Sequence, residues 1–302
     1  MPLRLRVGPH AFEVSNMRYR MIAIDLDGTL LNQHVRISQR NIDAVKKAQD
    51  AGVLIVPCTG RAWRESIDPL DGMPPPPVGI FVNGAVVTEI PSAESLNLVV
   101  MDPGLVSQVI EILYNEPEAV LVFREGNLAG YDYLVTGGGE LASNSTWWFR
   151  TSNARVHYLS APSTDDLLHC LRISIVAVQP RIVQIIDRLD RKYGPQLSMH
   201  HFPAVQLPSD REVLHVLEIF NAGVDKWRGI NWIAERYQID IAEIATIGDQ
   251  VNDLAMIQNA GCSIAMGNAV ESIKAAADYI TFDNESDGVA HAIDHVLDGV
   301  WG

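Results

Sequence analysis

The sequence predicts an α/β fold: a doubly wound parallel-sheet (Rossmann-like) core with an inserted α+β cap domain. Short apolar segments alternate with helical patterns near both ends of the chain, which is typical of parallel strands joined by right-handed crossover helices. In the middle of the chain, strand-like segments arrive in pairs instead, which favours a separate antiparallel sheet. Polar clusters follow several core strands, where ligands bind in sheets of this type.

The first core strand is predicted at residues 21–27, a mostly apolar segment that ends in two acids and a glycine. So short a segment, apolar on both faces, suits a buried parallel strand better than a helix. Ser38 is placed to cap a helix that Gly52 ends. Further core strands are predicted at residues 53–58, 78–82, 243–247, 262–266 and 278–281, with helices at 226–237 and from Leu254 to Gly261.

The middle of the chain predicts a second domain. Gly126-Asn127 lies between the first two strand candidates and favours a hairpin. The candidate strands are 119–123, 129–135, 172–178, 196–201 and 213–220, and the candidate helices are about 103–115, 164–170 and 180–193. We therefore expect a loose leader at 1–16, a core formed by 17–85 and 222–302, and an inserted cap at 86–221.

Composition excludes several classes of function. The 302 residues are 47% hydrophobic and 20% charged, as expected of a globular protein, and the net charge is -14. So acidic a surface repels nucleic acid and anionic lipid, so neither is an expected partner. The three cysteines show no metal-ligand spacing and predict reduced thiols in a cytoplasmic protein. The oligomeric state stays open.

Two acids at the end of the first strand are the first candidates for catalysis. Asp25 and Asp27 are two residues apart, so both side chains point to the same side of an extended chain. Gly28 permits a sharp turn and close approach of a ligand to the backbone. The alternative is an ordinary Asp-Gly turn, which needs only Asp27 and Gly28.

Two further positions are suited to an anion. Thr59, followed by Gly60 and Arg61, ends the second strand with a hydroxyl and a row of backbone N–H groups. Lys226 opens a helix, although cations prefer the opposite helix end, and a nearby anion would explain its position. The alternatives are an ordinary turn and a solvated surface lysine.

Residues 248–253 (GDQVND) bring three oxygen-bearing side chains, Asp249, Asn252 and Asp253, to a strand–helix junction. Mg²⁺ prefers such oxygen ligands, in combination with phosphate and water. Helix capping by Asn252 or Asp253 is the alternative, and it is compatible with a metal role.

Taken in order, these clusters resemble the signature of the haloacid dehalogenase superfamily of phosphotransferases. The matching segments are Asp25-Leu26-Asp27-Gly28-Thr29, Thr59-Gly60-Arg61, Lys226 and residues 248–253. The large insert resembles the type II (IIB) cap of the Cof-like branch, as do Asn83-Gly84-Ala85 and Leu217-Glu218-Ile219 at its edges.

The resemblance implies a role for each matching residue. Asp25 would be the nucleophile that becomes an aspartyl-phosphate, and Asp27 the general acid and base. Thr59 and Lys226 would hold the phosphoryl oxygens, with Gly60, Arg61 and Asn83 as further phosphate or substrate contacts. Asp249, Asp25 and the backbone carbonyl of Asp27 would bind Mg²⁺, and Asn252 and Asp253 would support that site or orient Lys226.

One departure from the family pattern concerns the lysine. The family commonly has a small polar residue before it and glycine after it, whereas this chain has Asp225 and Trp227. Asp225 adds negative charge beside the cation, and Trp227 adds bulk. Of all the matching segments, the loop at Lys226 is the one whose geometry follows least from the resemblance.

The implied function is a Mg²⁺-dependent phosphatase for a small phosphorylated metabolite, either a sugar phosphate or a phosphorylated cofactor. A phosphomutase would use the same residues with a sugar hydroxyl as acceptor. A non-catalytic binding module is a third hypothesis, but a decayed core would have lost one or more of its acids, and all are present.

Overall fold

The computed structural model describes residues 17–208 and 212–301, so the predicted leader at 1–16 lies outside the described residues. By packing, the chain divides into two compact units. Unit 1 contains the described residues up to Cys58, Pro69–Gly79 and those from Ile230 onward; unit 2 contains Thr59–Asp68 and Ile80–Gly229. The functional domain boundaries at residues 85 and 222 stay a prediction.

The described part of the chain forms fourteen strands and ten α-helices. The strands are β1 (Met21–Ile24), β2 (Leu54–Pro57), β3 (Val78–Phe81), β4 (Val86–Glu89), β5 (Glu94–Leu98), β6 (Val120–Arg124), β7 (Tyr133–Thr136), β8 (Val156–Tyr158), β9 (Cys170–Val178), β10 (Leu197–Pro203), β11 (Leu214–Asn221), β12 (Ile244–Gly248), β13 (Cys262–Ala265) and β14 (Tyr279–Ile280). The helices are α1 (Gln39–Asp50), α2 (Trp63–Ser66), α3 (Pro103–Leu113), α4 (Gly126–Ala129), α5 (Ser143–Thr151), α6 (Gln179–Tyr193), α7 (Lys226–Tyr237), α8 (Leu254–Asn259), α9 (Glu271–Ala276) and α10 (Gly288–Leu297).

Unit 1 contains a five-stranded, wholly parallel sheet in the order β14-β13-β12-β1-β2. Every residue of β1 is buried, and β1 has a hydrogen-bonded neighbour on each side. Ser38 caps α1 by accepting a hydrogen bond from the Asn41 backbone, and the Asn41 side chain accepts another from the Ala290 backbone in α10. The predicted α/β class is confirmed.

Unit 2 contains a six-stranded sheet in the order β10-β11-β9-β6-β7-β8. Its strands are antiparallel except for β7 and β8, which pair in parallel. Helices α3 and α6 bury their apolar faces on one side of this sheet, where Val109 and Ile185 belong to the same core cluster as Ile173 and Leu217. Strands β3, β4 and β5 form a separate three-stranded sheet.

The structure corrects one predicted helix of the insert. Residues 164–170 do not form an α-helix: a single 3-10 turn at Asp165–Leu167 is followed by β9, which begins at Cys170. The Asp166 carboxylate accepts hydrogen bonds from the backbone and hydroxyl of Ser163, which closes a tight turn instead of starting a helix.

Five elements in the described part of the insert have no counterpart in the sequence-based prediction: β4, β5, β8, α4 and α5. Helix α5 contains Trp147, Trp148 and Phe149, of which Phe149 is buried in the apolar cluster beneath β6 and β7. Gly126-Asn127 begins the short helix α4 rather than a two-residue hairpin turn.

Two findings bear on the environment of the protein. In the ranges 17–208 and 212–301, no helix has both the length and the apolar character needed to cross a bilayer. Cys58, Cys170 and Cys262 are free thiols, and all three are buried.

Candidate active site

Three carboxylates meet in unit 1 at the carboxyl end of the parallel sheet. Asp25 follows β1 and Asp249 follows β12, and these two strands are paired neighbours. With Asp253 they form a group whose candidate ligand atoms all lie within 4.8 Å of one another. Asp25, Asp249 and Asp253 are 4%, 8% and 0% exposed. Sequence reasoning therefore selected three acids that the fold brings together.

Local hydrogen bonds fix two of these carboxylates. Asp253 Oδ2 accepts from the backbone N–H groups of Asp249 at 2.8 Å and Gln250 at 3.0 Å. Asp249 Oδ1 accepts from the Thr29 hydroxyl at 3.0 Å. Asp253 thus closes the turn that presents Asp249, which is the capping role weighed for it, while its carboxylate stays inside the cluster.

Gly28 leaves room for Asp249 that no other residue would leave. Its φ of +80° is in the left-handed region, and a Cβ at this position would lie 2.4 Å from Asp249 Oδ2. The Asn268 side chain holds the same turn by donating to the Gly28 carbonyl at 2.8 Å. The backbone of the Asp25–Thr29 segment is therefore shaped around the Asp249 carboxylate.

The other two metal candidates differ from the clustered acids. The Asp27 side chain is exposed and does not belong to the group of three carboxylates, and its predicted metal contact was through its backbone carbonyl. Asn252 is half-buried and lies in the 3-10 turn at Val251–Asp253.

In unit 2, the Thr59 turn is folded onto the segment that contains Asn83. The Asn83 backbone N–H donates to the Thr59 carbonyl at 3.0 Å, and the Thr59 N–H donates to the Ile80 carbonyl at 2.9 Å. The Thr59 hydroxyl accepts from the Arg61 N–H at 3.1 Å and closes the turn. A Cβ on Gly60 would lie 3.2 Å from the Asn83 side chain. Thr59, Gly60 and Asn83 are thus direct neighbours.

The backbone around Asn83 is strained. Val82 and Asn83 have φ values of 51° and 52°, and Gly84 has +94°. Left-handed conformations cost a β-branched residue energy, and such strain is often found at functional sites. A Cβ on Gly84 would lie 1.9 Å from the Asp225 carbonyl, so this turn packs against the chain immediately before Lys226.

Asp225 has a structural role that explains the departure from the family pattern. Its Oδ1 accepts from the Arg228 backbone N–H at 2.8 Å, which is an N-cap interaction at the start of α7. Asp225 therefore caps the start of α7, as a small polar residue at this position would. Lys226 is the first residue of α7 and is fully buried.

The Arg61 side chain lies along unit 2. Its Nη1 donates to the Glu65 carbonyl at 3.3 Å, and its guanidinium carbon lies 5.4 Å from the centre of the Trp148 ring. This cation–π contact is a structural role for Trp148 of α5.

Sequence reasoning did not single out Thr29 or Asn268 as supports for the acid cluster, or Glu65 and Arg172 as supports for the Thr59 turn. Asn268 had a weaker signal, because it lies in the segment after β13, although not directly after the strand as Asp25 and Asp249 do. Arg172 had none, since a charged residue inside a predicted strand does not show which neighbour it meets.

A parallel α/β sheet with acids at its carboxyl end, in a chain that also contains a mainly antiparallel α+β unit, defines the class: an α/β protein with a candidate acidic metal site. A sequence model of the haloacid dehalogenase-like hydrolases matches residues 22–293, and the chain belongs to that family. The expectation of a hydrolytic enzyme is thereby confirmed.

Relatives and solved structures agree with this assignment. The chain is 29% identical over 299 residues to the 5-amino-6-(5-phospho-D-ribitylamino)uracil phosphatase YwtE of Bacillus subtilis, covering 93% of this chain and 99% of that protein. It is 28% identical over 293 residues to the phosphatase YwpJ of Bacillus subtilis, covering 92% and 100%. A solved HAD subclass IIB sugar phosphatase shares the fold at a TM-score of 0.73 and 20% identity, covering 91% and 98%. The expected Cof-like branch and IIB cap are confirmed.

Proposed function

We propose that this chain is a Mg²⁺-dependent phosphatase that hydrolyses a small phosphomonoester through an aspartyl-phosphate on Asp25. The observation that carries the proposal is the convergence of Asp25, Asp249 and Asp253, with ligand atoms within 4.8 Å of one another. The phosphatase activities in the names of the relatives support the same chemistry.

The residues fit a hard divalent cation. Three buried carboxylates at this separation repel one another, and a divalent cation offsets that repulsion. Oxygen donors from one or two carboxylates, completed by water and phosphate, are the set that Mg²⁺ takes. The space that Gly28 leaves beside Asp249 keeps that carboxylate within the group. When bound, Mg²⁺ supplies positive charge that lets a carboxylate approach a phosphate dianion.

The proposed reaction has two displacements. In the first, a carboxylate oxygen of Asp25 forms a bond to phosphorus while the phosphorus–oxygen ester bond breaks, and Asp27 gives its proton to the leaving alkoxide. In the second, Asp27 takes a proton from water, whose oxygen attacks phosphorus. The bond from phosphorus to Asp25 then breaks and inorganic phosphate leaves. Covalent transfer divides one difficult hydrolysis into two easier steps.

Five residues are proposed as phosphate and substrate contacts. Thr59 and the fully buried Lys226 would hold phosphoryl oxygens, with Gly60, Arg61 and Asn83 as further contacts. The close packing of the Thr59 turn with Asn83 supports a shared role for these residues. Asn252 is proposed to support the metal site from the turn that also contains Asp253.

The proposed substrate is a small phosphorylated metabolite, either a sugar phosphate or a phosphorylated cofactor or its precursor. The substrate in the name of the Bacillus relative and the sugar phosphatase activity of the solved structure support this range. A cytoplasmic location completes the proposal, and the three free, buried thiols support it, because cytosolic proteins keep their thiols reduced.

The test is a phosphate-release screen over a panel of phosphorylated metabolites, with and without Mg²⁺. Asp25→Asn is expected to lower kcat by at least about 1,000-fold, because an amide does not replace the nucleophile. Asp50→Asn is the matched control, since Asp50 is exposed and pairs with Lys46 on the surface of α1. Undiminished turnover by folded Asp25→Asn would refute the nucleophile, and an isomerised sugar phosphate without released phosphate would indicate a phosphomutase.

A further inference from the structure

A buried ion pair spans two strands of the unit 2 sheet. Arg172 on β9 and Glu218 on β11 are joined through Arg172 Nη1 and Glu218 Oε1, and their side chains are only 9% and 5% exposed. The strands pair antiparallel with Glu218 opposite Ser174, which brings Arg172 to the neighbouring position on the same sheet face. This face is opposite the one covered by α3 and α6.

Each member of the pair also holds a residue proposed to contact the substrate. Arg172 Nη1 donates to the Gly60 carbonyl at 3.2 Å. Glu218 Oε2 accepts from the Asn83 side-chain amide at 2.7 Å, and His200 Nε2 lies 3.1 Å from the same oxygen. One ion pair therefore connects the sheet with both the Thr59 turn and the strained turn at Asn83.

The far end of the Thr59 turn is held by the same network. Arg172 Nη2 donates to the Tyr133 hydroxyl at 3.2 Å, and that hydroxyl donates to Glu65 Oε1 at 3.1 Å. Trp148 Nε1 donates to Glu65 Oε1 at 2.9 Å, and Glu65 Oε2 accepts from the Ala62 N–H at 2.8 Å. The turn is thus fixed at both ends by side chains of the sheet and of α5.

The network keeps its charges although it is buried. Burial alone would raise the pKa of Glu218, but the Arg172 guanidinium and the hydrogen bonds from His200 and Asn83 outweigh this effect and lower the pKa of that carboxyl. A buried ion pair is a weak source of stability, because an apolar pair of similar volume often serves as well. The contacts of this ion pair with Gly60 and Asn83 give the pair a second role, which is to hold the two turns.

We propose that Arg172 and Glu218 are positioning residues, which orient the Gly60 backbone and the Asn83 amide for substrate. The proposal rests on the proposed function, since it assigns these residues to the same phosphatase site. It extends that function because it makes two strands of the insert part of the substrate-binding machinery through side chains that do not themselves need to touch the substrate.

The experiment measures kcat and KM for p-nitrophenyl phosphate and inhibition by inorganic phosphate in three variants. Glu218→Gln removes the charge and leaves Arg172 buried without its counterion. The double variant Arg172→Gln/Glu218→Gln replaces the ion pair with two neutral amides and restores charge balance. Glu116→Gln is the matched control, because the Glu116 side chain is only 10% exposed and pairs with Arg188 and Arg181, away from both turns.

We expect kcat/KM to fall about 10-fold to 100-fold in both Glu218→Gln and the double variant, since a misplacement on the order of 1 Å costs about that much. The double variant is expected to recover thermal stability but not kcat/KM. Phosphate inhibition should weaken in both, while the Mg²⁺ concentration for half-maximal activity stays unchanged. Glu116→Gln should keep the wild-type kcat/KM.

A stable double variant with the wild-type kcat/KM and phosphate inhibition would overturn the positioning role and leave the phosphatase proposal intact. In that case the ion pair would have only a structural role. A wild-type chain that releases no phosphate from any phosphomonoester would overturn both proposals together.

Discussion

The two compact units keep buried carboxylates in opposite ways. In unit 1, Asp25, Asp249 and Asp253 bring like charges together. In unit 2, Glu218 faces a guanidinium, an amide and an imidazole that offset its charge within the fold. The difference suggests two uses for buried acids: the first arrangement is proposed to gain stability from an added cation, and the second is proposed to hold the Thr59 and Asn83 turns in place without one.

The largest expected effect that separates the two arrangements is stabilisation by the metal. At a Mg²⁺ concentration about 100 times its Kd, binding to the folded state alone adds about 2.7 kcal/mol to the free energy of unfolding. Thermal unfolding with and without Mg²⁺ measures this as a rise in Tm. Asp249→Asn should abolish the rise and Glu218→Gln should keep it. An equal rise in wild-type protein and Asp249→Asn would place the cation elsewhere.

The next effect is a change in metal affinity caused by shape alone. Gly28→Ala adds a Cβ that would lie 2.4 Å from Asp249 Oδ2, so the carboxylate must move. We expect the Mg²⁺ concentration for half-maximal activity to rise about 10-fold, which corresponds to about 1.4 kcal/mol.

The control for Gly28→Ala is Gly130→Ala. Gly130 has nearly the same φ, +82°, but a Cβ there meets no atom within 4 Å. Both variants pay the cost of a left-handed alanine, so a metal effect confined to Gly28→Ala isolates the contact with Asp249. Equal metal activation in the two variants would contradict the predicted crowding.

The smallest effect is a pH dependence of stability from Glu218. Because its pKa in the folded state is lowered, the carboxyl contributes stability that is present above its unfolded pKa and lost as the pH falls through the folded value. Urea unfolding from pH 7 downward should show wild-type protein losing more stability below about pH 4.5 than the double variant Arg172→Gln/Glu218→Gln. Parallel curves for the two proteins would show that Glu218 does not titrate with unfolding.

The acid cluster could be predicted from sequence for a simple reason. The carboxyl ends of parallel strands meet at one edge of a sheet, so residues that follow different strands converge even when they are far apart in the chain. Asp25 and Asp249 follow the paired strands β1 and β12, and no detail of side-chain packing was needed to expect them together.

The Arg172–Glu218 network could not be predicted in this way. It depends on the register between β9 and β11, and a shift of one residue would turn one of the two side chains to the other face of the sheet and separate the pair. The error at residues 164–170 has a local cause, because hydrogen bonds from Ser163 to the Asp166 carboxylate close a 3-10 turn before β9 begins. Asp225 is a different case, because an aspartate directly before a predicted helix is a preferred N-cap, and this signal was overlooked in favour of its charge.

The packing of Thr59–Asp68 and Ile80–Ala85 within unit 2 has a practical consequence for engineering. Exchanging only residues 86–221 with those of a relative would introduce a foreign sheet beneath native turns and break the contacts from position 172 to Gly60 and from position 218 to Asn83. A chimera that transfers specificity should therefore carry both turns together with the donor insert, as a graft in two pieces of chain, residues 59–68 and 80–221.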